Sequence, residues 1–97
     1  MPKRQQPEPW DRQKGESRQA FEAFCRYRDL GLGRSLRETG LELGKSTTLM
    51  SRWSAKWSWV ARSDAWDQEA ARRADEEIIR QRERKAVEDY LSSVLKP

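Results

Sequence analysis

From position 46 to 56 the chain carries Ser46, Thr47, Thr48, Ser51, Arg52 and Lys56 at spacings that leave them together on the outer side of a helix. Hydroxyls, a forked guanidinium and an ammonium are the groups that contact phosphate oxygens and base edges in the major groove of DNA. Little else in the chain competes for a chemical role. Cys25 is the lone cysteine and there is no histidine, so neither a Ser-His or Cys-His pair nor a structural zinc site can be assembled. No glycine-rich phosphate loop occurs. Asp75, Glu76 and Glu77 alternate with arginines and read as a solvated charged face. The expectation is a binding protein and not an enzyme, without catalytic residues, metal or cofactor.

The elements that must position those side chains are legible around them. Residues 36–53 read LRETGLELGKSTTLMSRW, the recipe of a helix-turn-helix. A small residue on one helix lets the next approach closely, a glycine makes the sharp turn, and apolar residues beyond lock the second helix onto the first. Gly40, Gly44, Met50 and Trp53 fill these positions, with Leu36 and Leu43 completing the core. Gly40 stands where alanine is usual and Lys45 where an apolar residue is common. The recognition helix caps on Ser46 and buries Leu49, Met50 and Trp53; the preceding helix opens on a capping box, Ser35 with Glu38, and closes on Gly44. Arg34 and Arg37, near its start, read as phosphate clamps, and Lys45 in the turn adds a further cation. Arg26 and Arg28 fit a phosphate clamp or a solvated face equally.

Upstream, a first helix caps on Ser17, carries Ala20, Phe21, Phe24, Cys25 and Tyr27 or Arg28 inward, and ends near Leu30, where Gly31 and Gly33 permit left-handed backbone. Cys25 reads as a buried filler. Residues 1–16, broken by prolines and Gly15, read as a flexible basic arm, with Trp10 stapled onto the first helix. Downstream, Trp59, Arg62, Ser63, Trp66, Ala70, Ala74 and Ile78 mark a fourth helix. Glu69 with Arg73, Glu76 with Arg80 and Lys85 with Asp89 are spaced as helical ion pairs. RQRERK at 80–85 interrupts every heptad frame, and Val87, Tyr90, Leu91 and Val94 form a small apolar stripe beyond it, suited to another subunit or a partner. The fold expected is all-α: a compact three- to four-helix helix-turn-helix domain over 17–62, and a charged helical extension over 63–97 for oligomerisation or partner binding.

Composition agrees with this division. Residues 1–62 hold 13 Lys+Arg against 7 Asp+Glu, while residues 63–97 hold 7 against 9, so a polyanion would dock on the first two-thirds. Only 35% of residues are apolar, so the crowding of Trp53, Trp57, Trp59 and Trp66 should form the core, with a stacking platform for single-stranded bases as the less favoured reading. No apolar signal stretch or segment of transmembrane length is visible, which leads to the expectation of a cytoplasmic protein, neither secreted nor in a membrane.

Residues 10–67 also resemble a group of bacteriophage and prophage small terminase subunits. The resemblance rests on GES before the first helix, YRDLG, the RSL opening the second, the LGKS turn, and RWSAKWSWVAR followed by AWD. It implies a helix-turn-helix that binds viral DNA for genome packaging, further helices that build a homo-oligomer, and a large terminase subunit, an ATPase-nuclease, as partner in the bacterial host. It implies Thr47, Thr48, Ser51, Arg52 and Lys56 as DNA-facing. The alternative is a transcriptional regulator binding operator DNA as a dimer.

Overall fold

The computed structural model describes residues 6–95, and over them the protein is all-α. Its elements are α1 (Arg18–Asp29), one 3-10 turn (Gly31–Gly33), α2 (Leu36–Leu43), α3 (Thr47–Trp57) and α4 (Trp59–Leu95). The first three helices start where serines dictate. Ser17, Ser35 and Ser46 each turn a hydroxyl onto an amide three residues on, Ala20 at 3.1 Å, Glu38 at 2.9 Å and Leu49 at 3.1 Å. Such caps contribute about 1 kcal/mol each. Gly31 takes the left-handed conformation expected of it, at φ +74°, whereas Gly33 stays within the 3-10 turn.

The chain divides into two compact units at Asp67 and Gln68. In the first, α2 packs on α3 and α1 touches both. Ala23, Phe24 and Tyr27 of α1 meet Met50 of α3 and Trp59 of α4 in the buried core, with Leu36, Leu43, Leu49 and Trp53 packed around them. Trp59 is fully buried, its ring 5.3 Å from Tyr27 and 6.3 Å from Phe24 between centroids. Of the four crowded tryptophans it alone reaches the centre; Trp53, Trp57 and Trp66 are half-buried around it. Ser58, at φ 52°, ends α3 in the left-handed region, and α4 starts at once.

The flexible arm expected over 1–16 is overturned for residues 7–16, which form a folded strap; residues 1–5 of that arm lie outside the described residues. Glu16 is buried, and Trp10 rests edge-on against Trp66 of α4 at 5.9 Å, not on α1. The strap is closed by its own turns, Asp11 N–H to Glu8 carbonyl at 2.9 Å and Glu16 N–H to Gln13 carbonyl at 3.0 Å. What holds it is Arg62 of α4, a partner too distant in sequence for local pattern to reveal. The folded domain correspondingly exceeds the expected 17–62 at both ends.

The second unit is the remainder of α4. Its face is laced by Arg72 with Glu69 at 2.7 Å, Arg73 with Glu69 at 2.8 Å, Arg80 with Glu77 at 2.6 Å and Lys85 with Asp89 at 3.8 Å. Glu76 pairs with Arg72 in place of the expected Arg80. Ile78, Ile79, Val87, Tyr90, Leu91 and Val94 are exposed. No helix among the described residues is long and apolar enough to cross a membrane.

Candidate nucleic-acid interface

The approach of α2 to the turn before α3 depends on Gly40 having no side chain. A Cβ there would lie 2.6 Å from the Lys45 carbonyl oxygen and 3.4 Å from Met50 Cγ. Alanine, the usual residue at this position, would therefore collide with backbone. Gly44 then turns the chain at φ 67°, and the Lys45 N–H closes on the Gly40 carbonyl at 2.8 Å. A left-handed residue costs an L side chain roughly 1–2 kcal/mol, which glycine avoids. Ser46 caps α3 directly afterwards, so the α2-turn-α3 unit is set by backbone geometry at three consecutive residues.

With that register fixed, α3 divides into two faces. Met50 is fully buried, and Leu49 and Trp53 are half-buried against the core. Thr47, Thr48, Ser51, Arg52 and Lys56 are exposed, as are Lys45 and Ser46. The Ser46 hydroxyl is engaged as an acceptor by its cap bond but keeps its proton to donate. Lys56 holds its ammonium 5.4 Å from the Trp57 ring, a cation–π contact of about 0.5–1 kcal/mol at an exposed site. Arg37 is exposed on the first turn of α2.

Arg34 departs from its expected role as a phosphate clamp. Its guanidinium grips Asp67 with two bonds of 2.7 Å and donates twice to the Arg28 carbonyl, at 3.0 and 2.7 Å. Its side chain is only 10% exposed. The hydrogen bonds from Arg34 hold the Asp67 carboxyl below its ordinary value, and those to Asp67 raise Arg34 in turn. The fork ties the loop before α2 to α4. Asp67 is 33 residues away, so sequence reasoning had no local signal for it.

The same consumption of charge recurs across the domain. Arg62 pairs with Glu16, Arg28 with Asp29 at 2.8 Å, Arg26 with Glu42 at 3.5 Å and Arg18 with Glu22 at 3.2 Å. Arg28 also stacks 4.2 Å over Trp66, which makes it a packing residue. Lys14, Arg37, Lys45, Arg52 and Lys56 enter no ion pair among the described residues, and α3 contains no carboxylate. Cations without an ion pair among the described residues are thus left at Lys14 of the strap, at the start of α2, in the turn and on α3.

Glu16, Arg62 and Asp67 are the residues sequence reasoning missed as partners. A signal did exist for Arg62, since a cation fell in helical register between Trp59 and Trp66, and Lys and Arg are rarely buried unless paired. Cys25 is half-buried on α1, and burial raises its thiol pKa, which suits a filler and not a nucleophile.

Compared with family models, curated proteins and solved structures, the chain matches none.

Proposed function

We propose that the protein belongs to the class of helix-turn-helix DNA-binding proteins, with α3 entering the major groove of double-stranded DNA. The observation that carries this reading is the asymmetry of α3. Its inner face is apolar and packed, while its outer face offers Thr47, Thr48, Ser51, Arg52 and Lys56, with no carboxylate to repel phosphate. Phosphate contacts position such a helix and hydroxyl or guanidinium contacts to base edges read sequence. Lys45, Ser46 and Arg37 flank it and would contact backbone. Arg34 has no part in the reading.

Within that class, we propose a bacteriophage small terminase subunit, on the resemblance carried by residues 10–67. It would recognise viral DNA for packaging and present it to the ATPase-nuclease large subunit in the host cytoplasm. Self-association would fall to α4 beyond Asp67, where Val87, Tyr90, Leu91 and Val94 are exposed along one stretch.

Duplex binding followed by fluorescence anisotropy across a salt series tests the first step. Affinity that does not weaken with rising salt would exclude a phosphate-driven interface. Footprinting and native mass spectrometry test the second. Protected half-sites about 10 base pairs apart, bound by a dimer, would replace packaging with operator recognition.

A further inference from the structure

The strap leaves one cleft unaccounted for, and it adjoins the free end of α3. Lys14, Lys56, Trp57 and Ser58 line it together with Pro7 and Pro9, around a volume of about 530 Å³. No carboxylate is among its lining residues. Its two lysines come from elements far apart in sequence, the strap and the last turn of α3, yet open onto the same space. Both are exposed and neither enters an ion pair among the described residues.

The strap is not free to carry Lys14 away. Gly15 takes φ +83°, and a Cβ there would touch the Trp57 ring at 3.7 Å, so backbone lies against the tryptophan that floors the cleft. On the next residue Glu16 is clamped by Arg62, with bonds of 2.9 and 3.0 Å. Lys14 therefore projects from a backbone fixed on both following residues, and little ordering remains to be done when an anion arrives.

We infer that this cleft receives the sugar–phosphate backbone of duplex DNA flanking the stretch under α3, and that Lys14 is a DNA-contacting residue contributed by the strap. The inference rests on the reading of α3 as the recognition helix. An eleven-residue helix is about 16 Å long, against a major groove about 12 Å wide. With the Thr47 end of α3 among base edges, its Lys56 end arrives at a backbone. A second lysine lining the same cleft, Lys14, then adds a cation to that backbone, while the half-buried Trp57 offers an apolar surface to the sugars. Each phosphate neutralised contributes to the salt dependence, and because the backbone is the same in every sequence, the contribution is indifferent to base order.

The test uses the full chain with two duplexes of unrelated sequence, titrated by anisotropy over a salt series. Lys14→Gln is expected to weaken binding to both duplexes by about 3- to 10-fold near 0.1 M salt and to lower the salt slope by about 1. Arg18→Gln removes a cation on α1 outside the cleft, already paired with Glu22, and is expected to change neither. If Lys14→Gln binds like wild type while Arg52→Ala weakens binding, the cleft inference falls and the reading of α3 stands. Equal losses from Lys14→Gln and Arg18→Gln would reduce the effect to bulk charge and overturn the inference as well. Wild-type protein that shows no salt-dependent duplex binding overturns both.

Discussion

Arg62 and Glu16, 46 positions apart, form a buried two-bond ion pair in which every N–H of the guanidinium has an acceptor. Two go to the Glu16 carboxylate, and the others to the carbonyls of Pro9 at 2.6 Å, Trp57 at 3.1 Å and Asp11 at 2.9 Å. The guanidinium also lies 4.0 Å over the Phe24 ring. One side chain thus joins the strap, the end of α3, α4 and the core. Removing one partner of a buried pair leaves an uncompensated charge, at a cost of about 3–5 kcal/mol. Glu16→Ala and Arg62→Ala are both expected to lose that much in urea unfolding followed by tryptophan fluorescence. A loss under about 1 kcal/mol would mean that the strap is incidental to the fold.

Gly40→Ala reverses the usual rule. In an exposed helix interior alanine would stabilise by about 1 kcal/mol. Here its Cβ would meet the Lys45 carbonyl at 2.6 Å, forcing α2 away from the turn. The variant is expected to melt below wild type, and thermal unfolding measures the sign directly.

The fork between Arg34 and Asp67 has a pH signature. Asp67 titrates below its ordinary value of 3.8, chiefly through the hydrogen bonds from Arg34. The folded state therefore prefers the carboxylate. The stabilisation is fully present above the ordinary carboxylate pKa and is lost as pH falls through the lowered folded value. Because Asp67 is 38% exposed, screening limits it to about 1 kcal/mol or less. Carboxyl-carbon NMR should find Asp67 below 3.8 in wild type and returned toward it in Arg34→Ala.

Glu69 supplies an internal comparison. Arg72 first, then Arg73, both exposed on α4, hold it at about 2. Raised salt should move Glu69 further toward its ordinary value than Asp67, whose partner is nearly buried. Equal shifts in the same NMR titration would contradict that difference.

Arg52→Ala and Trp59→Ala should separate binding from folding. Arg52 is exposed on α3 and Trp59 is fully buried. The first is expected to weaken duplex binding with stability unchanged within about 0.5 kcal/mol. The second is expected to cost about 3–5 kcal/mol in unfolding. An Arg52→Ala protein that unfolds would show that the helix register is wrong.

Helix starts and the register of α3 were legible because their causes are local. Ser17, Ser35 and Ser46 cap amides three residues on, Gly44 supplies the left-handed turn, and Leu49, Met50 and Trp53 repeat at helical spacing. The faces of α3 follow from that register alone. The fates of individual charges were not legible. Arg34, Arg37 and Arg52 are the same residue type in similar surroundings along the chain, yet one is locked onto Asp67 and the other two are exposed.

By itself, then, the sequence determined which segments become helices, where three of them begin, and which side of α3 faces water, since each depends on residues within a turn or two. Tertiary structure alone decided that residues 7–16 fold down, that Trp59 is the centre of the core, and that Arg62 and Arg34 act inside the protein. Those outcomes depend on pairs more than thirty positions apart, and burying a charge becomes tolerable only once the whole fold has brought its partner within reach.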